Sequence, residues 1–169
     1  LQEVRSAEVV TNLIKQMERP DMKAAACTEF PTLPTDPVPS HQNAIITHLP
    51  VIDSGYAKWE KAEELEPPRG YAYAVVDYEG TLVLCFSVHF KSNFIAEGED
   101  PEKTPIIYRK TRELTARQIV AIADKLSKKE YNGRKIEAVF LAGDFNTSIF
   151  DENFKGETTI QTIIDGGYR

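Results

Sequence analysis

The stretch Ile136-Glu-Ala-Val-Phe-Leu-Ala-Gly-Asp144-Phe-Asn146-Thr runs from an apolar segment, typical of a buried strand, into a carboxylate and an amide two positions apart. Strand ends are where α/β folds usually build their sites. Because residues i and i+2 of an extended segment point the same way, we expect Asp144 and Asn146 to address one ligand. A carboxylate can hold Mg²⁺ or orient a water molecule, and an amide can donate to a phosphoryl oxygen. A Gly-Asp pair after a strand is also a common turn, so the motif needs support from elsewhere in the chain.

Upstream of this stretch the sequence predicts a β-hairpin. Gly70–Tyr78 and Thr81–Phe90 are rich in β-branched and aromatic residues, and Glu79-Gly80 between them is a tight-turn signal. Residues Leu82–Val88 are almost continuously apolar, which predicts a strand that is buried on both faces. That strand ends at a histidine, His89, which is either a packed residue or part of a site.

The remaining segments alternate short strands with helices, which indicates one mixed α/β or α+β domain over residues 1–169. Four prolines within residues 30–40 predict an irregular loop. Residues 53–68 are charged and end in two prolines, so we expect an exposed loop, with a helical turn at most. The stretch Lys103–Arg117 has five basic residues and one acidic residue and is predicted to be a loop. A capping-box pattern predicts that a helix begins at Thr115.

Composition limits the classes of function that the chain can have. The 169 residues are 41% hydrophobic and 27% charged, which is ordinary for a globular domain. A net charge of −6 gives no general attraction to nucleic acid, although a local basic face remains possible. No apolar run approaches the ~20 residues of a membrane-spanning helix. The sequence begins without a methionine, so secreted, periplasmic and cytoplasmic locations all stay open.

Three further polar residues stand at predicted junctions. Glu3 precedes the first helix, where a glutamate commonly complements the helix dipole. His89 ends the most apolar strand, and Asn93 follows it in a position that also suits a turn. Each residue has an ordinary structural explanation when it is taken alone.

Taken together, these residues resemble the endonuclease/exonuclease/phosphatase superfamily, which includes DNase I-like nucleases, exonuclease III-like enzymes, neutral sphingomyelinases and inositol polyphosphate 5-phosphatases. Six motifs occur in the order found in that family, and an ordered set is far more specific than any one motif. They are Leu-Gln-Glu-Val (1–4), Ala-Ile-Ile-Thr (44–47), Pro-Arg-Gly-Tyr (68–71), Val-His-Phe-Lys-Ser-Asn (88–93), Arg-Gln (117–118) and Gly-Asp-Phe-Asn (143–146).

The resemblance implies an α+β fold, the DNase I-like four-layer αββα sandwich, in which two sheets pack together between helices. It implies that Glu3 and Asp144 bind Mg²⁺ or Mn²⁺ and that His89 contacts the scissile phosphate. Asp144 would also act on the attacking water, and Asn146 on a phosphate oxygen. The matching motifs make Asn93 and Arg69 candidate substrate-binding residues.

Two parts of the family pattern are not found in residues 1–169. The family has an asparagine upstream of its Gln-Glu motif and an Asp-His pair near its C-terminus, and this sequence contains no Asp-His dipeptide. We therefore expect a domain that is incomplete at both ends and that holds only part of the family's site.

The sequence predicts a metal-dependent phosphodiester hydrolase of a bacterial, nuclease-like type that acts on nucleic acid. The nuclease preference depends on the segment Val88–Asn93, which resembles the His-Leu-Lys-Ser pattern of extracellular DNase I-like bacterial members. The basic stretch Lys103–Arg117 either contacts a phosphate backbone or is a solvated surface loop. One alternative is a phosphomonoesterase or lipid phosphodiesterase on the same scaffold, because fold does not set substrate. Another is a non-catalytic fragment or interaction module, and the sequence implies no protein partner.

Overall fold

The computed structural model describes residues 1–30 and 41–168, which form two β-sheets and flanking helices. In chain order the elements are α1 (Ala7–Gln16), β1 (Lys23–Cys27), β2 (Ala44–Thr47), β3 (Val51–Lys58), β4 (Gly70–Tyr78), β5 (Thr81–His89), α2 (Lys103–Ser127), β6 (Glu130–Tyr131), β7 (Arg134–Asp144) and α3 (Thr159–Asp165), with a short 3₁₀ turn at Glu152–Phe154. The smaller sheet pairs β1 with β2, and the larger has the order β3-β4-β5-β7-β6. Of the loop predicted over residues 30–40, all but residue 30 lies outside the described residues.

The elements stack in four layers, which confirms the expected αββα sandwich. On one face of the larger sheet, Leu84, Phe86 and Val88 of β5 pack with Ile119 of α2 and Ile163 of α3. The opposite face of that sheet meets the β1–β2 sheet, and α1 packs against β1. Alternate residues of β5 therefore serve two interfaces, because successive side chains of a strand point to opposite faces.

The predicted hairpin is present, and its turn has the backbone that the sequence requires. Strands β4 and β5 pair in antiparallel register from Tyr71–Val88 to Tyr78–Thr81. Glu79 and Gly80 both have positive φ, at 52° and 92°, as a two-residue turn between right-twisted strands needs. From β5 the chain crosses through α2 and returns as β7, which pairs with β5 in parallel.

Two of the sequence-based predictions of secondary structure are wrong. The segment predicted as an exposed loop, residues 53–68, contains most of β3, whose residues 51–58 pair with β4 at the edge of the sheet. The polar residues of β3 gave no strand signal, because one side of an edge strand faces water and the strand needs no apolar run. Helix α2 begins at Lys103 rather than at Thr115, which is buried inside the helix and donates its hydroxyl to the Thr111 carbonyl.

Strand β7 is central in the sheet but is not buried on both faces. Val139 and Leu141 pack against the core, whereas Phe140 on the opposite side is 61% exposed. The apolar run from Ile136 therefore supports one covered face and one open face. Among the helices in the described part of the chain, none is both long enough and apolar enough to cross a lipid bilayer.

Candidate active site

The predicted site residues His89 and Asp144 stand side by side at the carboxyl ends of β5 and β7. They are paired in the register of these parallel strands, and the Phe90 amide donates to the Asp144 carbonyl at 2.9 Å. Both strands run in the same direction, so their last residues arrive at one edge of the sheet. The sheet topology therefore brings together two residues that are 55 positions apart in the chain.

The N-terminal segment brings Glu3 to the same place. The Ser87 hydroxyl donates to the Leu1 carbonyl at 3.1 Å and accepts from the Gln2 side chain at 3.2 Å. Glu3 follows Leu1 by two residues and His89 follows Ser87 by two residues, so Glu3 lies beside His89. Glu3 has a left-handed backbone with φ of 58°, which is uncommon for a non-glycine residue. A bent segment held by β5 thus positions the first carboxylate of the site.

Both carboxylates approach one nitrogen of the His89 ring. Glu3 Oε1 lies 3.8 Å and Asp144 Oδ2 lies 3.9 Å from His89 Nε2. The His89 side chain is 2% exposed, whereas those of Glu3 and Asp144 are 61% and 56% exposed. The arrangement is a buried imidazole with two exposed carboxylates on its solvent side, and we call the space that these three side chains border the cleft.

The surroundings of His89 favour its neutral form. Burial lowers the pKa of His89 to about 4. The nearby Arg69 cation also lowers this pKa, whereas the carboxylates of Asp144 and Glu3 act to raise it. Its Nδ1 atom is buried and has no hydrogen-bond partner among the described residues. A proton on Nε2, facing the two carboxylates, avoids leaving a buried N–H donor without a partner. His89 then presents an N–H donor to the cleft.

Arg69, a predicted substrate-binding residue, also lies at this end of the sheet. Its guanidinium donates to the Phe90 carbonyl at 2.8 Å and, more weakly, to the His89 carbonyl at 3.5 Å. Burial lowers the pKa of Arg69, and the charges of Glu3 and Asp144 oppose that shift. Arg69 therefore holds the end of β5 and adds a positive charge near the two carboxylates.

The expectation that Asp144 and Asn146 point the same way from one strand is not met, and Asn146 and Asn93 both make loop contacts. The chain leaves the extended conformation at Asn146, where φ is 51°, and the Asn146 amide donates to Asp144 Oδ1 at 2.8 Å. The Asn146 side chain donates to the Phe90 carbonyl at 3.1 Å, and Asn93 Nδ2 donates to the Asn146 carbonyl at 2.7 Å. The parallel orientation predicted from i and i+2 spacing is wrong because it requires a continuing strand. The two asparagines tie the loops after β5 and β7 together.

Sequence reasoning missed one residue beside the cleft, His41. Its Nε2 atom lies 3.8 Å from Glu3 Oε1, and its ring centre is 6.0 Å from that of His89. His41 has a φ of 76°, so a strained backbone conformation stands at the edge of the cleft. One signal was in the sequence, since this is one of only three histidines and it precedes a predicted strand. Nothing local connects it to Glu3, which only the fold brings near.

The donor chemistry of the cleft fits a hard divalent cation. Within residues 1–30 and 41–168, no three His, Cys, Asp or Glu side chains converge tightly enough to enclose a metal ion. Mg²⁺ does not need such an enclosure, because it commonly takes one or two carboxylates and keeps several waters. The exposed oxygens of Glu3 and Asp144 leave room for those waters. The two residues therefore suit Mg²⁺ or Mn²⁺ better than a dehydrated metal such as zinc.

Gly143 allows β7 to approach β5 at the site, and Gly143→Ala is expected to destabilise the fold. A Cβ atom there would lie 2.0 Å from the Val88 carbonyl oxygen, so the strands would have to separate beside His89 and Asp144. Overpacking of this kind costs about 1–3 kcal/mol, measurable by urea unfolding. Gly55→Ala is the control, because its Cβ would meet only the movable Tyr73 ring, at 3.0 Å. Equal stability losses in the two variants would contradict the close-approach argument.

No protein-family model and no curated protein sequence matches the chain. Solved structures do match, with low sequence identity. A sphingomyelinase C from Streptomyces griseocarneus is 20% identical over 80% of this chain and 41% of its own, with a TM-score of 0.50. An endonuclease/exonuclease/phosphatase family protein from Leptotrichia buccalis is 16% identical over 95% of this chain and 51% of its own, with a TM-score of 0.54. A Staphylococcus aureus beta toxin variant with bound magnesium ions is 14% identical over 92% of this chain and 52% of its own, with a TM-score of 0.56.

These matches establish the fold. The chain shares its fold with these proteins, and this αββα sandwich is the fold that the ordered motifs implied. It spans about half the length of the solved structures that it matches.

Proposed function

We propose that this chain is part of a Mg²⁺- or Mn²⁺-dependent phosphoesterase that hydrolyses phosphodiesters. One observation carries the proposal: Glu3 and Asp144, from opposite ends of the sequence, both lie within 4 Å of the Nε2 atom of His89. The fold alone does not require two carboxylates beside one buried imidazole. Strained backbone at Glu3 and at His41 is also concentrated here, as it often is at functional sites.

In this proposal Glu3 and Asp144 hold the metal ion through their exposed carboxylate oxygens. When bound, the ion would neutralise charge on phosphoryl oxygens and lower the pKa of a coordinated water. Asp144 is also placed to orient a water molecule, because only its Oδ1 atom is engaged by the Asn146 amide. His41 Nε2 lies 3.8 Å from the same Oε1 atom of Glu3 and can restrict the orientation of that carboxylate.

The donors at the floor of the cleft suit the charge that develops on a phosphate. His89, neutral at physiological pH, can donate from Nε2 to a non-bridging oxygen. Arg69 contributes positive charge from the β4 side of the cleft. The side-chain amide of Asn146 has two N–H donors, and one of them binds the Phe90 carbonyl. Asn93 would support substrate binding only indirectly, because it holds the loop of Asn146 through a hydrogen bond to the Asn146 carbonyl.

The names of the structural neighbours agree with this chemistry. They include a sphingomyelinase C, an endonuclease/exonuclease/phosphatase family protein and a beta toxin with bound magnesium ions. Phosphate-ester hydrolysis is common to the first two names, and the third supports the choice of metal. At these identities the neighbours do not decide between nucleic acid and lipid as substrate.

The basic stretch gives less support to a nucleic-acid substrate than its composition suggested. Lys103–Arg117 is the first part of α2, and its residue Arg112 is buried in an ion pair with Glu157. Arg109 lies 3.7 Å from Glu113 on the same helix. A nuclease remains a prediction based on the Val88–Asn93 motif alone.

Metal binding tests the proposal directly. Glu3→Gln in the full-length protein is expected to weaken Mn²⁺ binding by roughly tenfold or more, because it removes a charged ligand. Calorimetry or Mn²⁺ spectroscopy measures the affinity, and hydrolysis of bis-p-nitrophenyl phosphate with Mg²⁺, with and without EDTA, measures activity. Glu8→Gln is the matched control, since it is an exposed glutamate five positions away on α1. Unchanged Mn²⁺ affinity in Glu3→Gln would remove Glu3 as a ligand, and metal binding without hydrolysis would favour the non-catalytic alternative.

A further inference from the structure

A buried ion pair between α2 and the segment before α3 contacts the two loops that follow the candidate site residues. The side chains of Arg112 and Glu157 are 3% and 2% exposed. Arg112 Nε and Nη2 donate to the two Glu157 carboxylate oxygens at 2.8 and 2.6 Å, which makes the pair bidentate. This geometry fixes the directions of both side chains as well as the distance between them.

The ion pair reaches the loop after β5 through one further hydrogen bond. Arg112 Nη1 donates to the Lys91 carbonyl at 3.3 Å. Lys91 follows His89 by two residues and precedes Asn93 by two. Its Nζ atom lies 3.6 Å from the centre of the Tyr108 ring, which also belongs to α2. Helix α2 therefore holds this loop through both the backbone and the side chain of Lys91.

The ion pair also lies close to the loop after β7. Glu157 accepts the Thr159 hydroxyl at 2.7 Å, at the start of α3. The side chain of Thr147, the residue after Asn146, helps to hold the pKa of Glu157 below its usual value, and both residues line one surface hollow. Asn93 joins the same two loops through its bond of 2.7 Å to the Asn146 carbonyl. The loops are therefore connected twice, once by Asn93 and once through the ion pair.

Stability alone does not account for an ion pair of this kind. Removing two charges from water is costly, and well-packed apolar residues of similar volume are often as stable as a buried ion pair, or more so. Apolar side chains could fill this space, but they could not bind the Lys91 carbonyl or the Thr159 hydroxyl in fixed directions. What the ion pair adds is a set of directed bonds to the loops.

We propose that Arg112 and Glu157 are positioning residues for the cleft: together they fix the loop after β5 relative to the loop after β7, and so place the Asn146 side chain. The inference rests on the proposed function, in which Asn146 donates to a phosphate oxygen. Such a bond depends steeply on the position of its donor, and a displacement of about 1 Å can lower turnover by about a hundredfold. Arg112 and Glu157 are buried, so they act through the loops rather than on the substrate.

The double variant Arg112→Met, Glu157→Leu in the full-length protein separates positioning from stability. It removes both charges at once, so no buried charge is left without a partner and the fold is expected to persist. Turnover of bis-p-nitrophenyl phosphate at saturating Mg²⁺ should fall by roughly tenfold or more, in kcat rather than in KM. Mn²⁺ affinity should stay within about twofold, because the proposed ligands Glu3 and Asp144 do not contact the ion pair.

Amide hydrogen exchange gives a readout that does not depend on activity. In the double variant, exchange should become faster in residues 90–94 and 145–148 and stay unchanged in β4 and β5. Asp124→Leu, Lys128→Met is the matched control, because it removes an exposed ion pair of 2.7 Å at the other end of α2. A stable double variant with unchanged turnover and unchanged loop exchange would overturn the proposal, as would faster exchange spread evenly over the strands.

Thr147 provides a second test that leaves the ion pair in place. Thr147→Val keeps the shape of the side chain but removes its hydroxyl, so kcat should fall severalfold without a change in Mn²⁺ affinity. Thr147→Ser keeps the hydroxyl and should retain turnover. Equal turnover by these two variants would show that Glu157 does not act on the loop after β7, and would overturn the proposal even if the double variant failed to fold.

Failure of the proposed function gives a different result. If the unchanged protein hydrolyses no diester but the double variant exchanges faster in the two loops alone, the ion pair still positions the loops and the proposed function is rejected. If the unchanged protein and the double variant hydrolyse the diester equally fast, the proposed function stands and the positioning role is rejected.

Discussion

Replacement of Asp144 by asparagine in the full-length protein is expected to lower phosphodiester turnover by roughly a hundredfold or more while the fold persists. The change removes the negative charge that would hold Mg²⁺ and orient the attacking water. It keeps the local structure, because asparagine Oδ1 can still accept the Asn146 amide bond that Asp144 Oδ1 accepts at 2.8 Å. The side chain is 56% exposed, so the substitution buries no new polar group.

Asp151 supplies a matched control for this experiment. Its Oδ1 atom accepts the Asn153 amide at 2.9 Å, the same turn geometry in an exposed loop. Asp151→Asn should therefore retain both turnover and melting temperature. The measurements are kcat and KM on a soluble diester at saturating Mg²⁺, with thermal unfolding of each variant. Wild-type turnover by Asp144→Asn would assign the carboxylate to turn formation alone.

The parts of this site that were predictable from the sequence are those set by strand ends. An apolar run followed by His89, and another followed by Gly143-Asp144, each predict a polar residue where a strand meets solvent. A parallel pairing of the two strands then places both residues at one edge, without detailed knowledge of the loops. The hairpin was predictable for a similar reason, since Glu79-Gly80 restricts the turn and the turn restricts the register.

The parts that were not predictable depend on backbone turns and on distant contacts. Asn146 leaves the strand because φ turns positive there, and the Gly143-Asp144 pair alone did not decide between a turn and a continuing strand. His41 reaches Glu3 only because the N-terminal segment bridges to Gln42, through bonds between Val4 and Gln42. His89 is 2% exposed, yet its Nε2 atom faces two carboxylates, so a packed position and a position beside possible site residues coexist, although the sequence presented them as alternatives.

Arg112 is the residue whose role changes most between sequence and structure. Composition placed it in a basic stretch that could meet phosphate, yet its side chain is 3% exposed and faces inward. Its Nε and Nη2 atoms donate to the two Glu157 carboxylate oxygens at 2.8 and 2.6 Å. Nη1 donates to the Lys91 carbonyl at 3.3 Å, and Thr159 donates to Glu157 at 2.7 Å. The pair connects α2 to the loop after β5 and to the segment that carries Phe150.

Arg112→Met is accordingly expected to destabilise the protein by about 3–5 kcal/mol, because it leaves the Glu157 carboxylate buried without its cation. That is a large part of the stability of an ordinary domain. Arg109→Met is the matched control, since its pair with Glu113 is partly exposed and contributes only about 0–1 kcal/mol. Urea unfolding measures both variants. The double variant Arg112→Met, Glu157→Leu should recover much of the loss, because it removes the unpaired charge as well.

The pH dependence distinguishes a lost ion pair from simple loss of packing. Burial alone would raise the pKa of Glu157, but the hydrogen bonds from Arg112 and Thr159 outweigh burial and hold that pKa below its usual value. The unchanged protein therefore has this stabilisation above the unfolded pKa of about 4.3 and loses it as the pH falls through the lower folded value. In Arg112→Met burial raises the pKa instead, so protonation on acidification relieves the buried charge. The stability difference between the two proteins should shrink from about pH 7 to about pH 4. A difference that stays constant over that range would show that Arg112 contributes packing rather than charge.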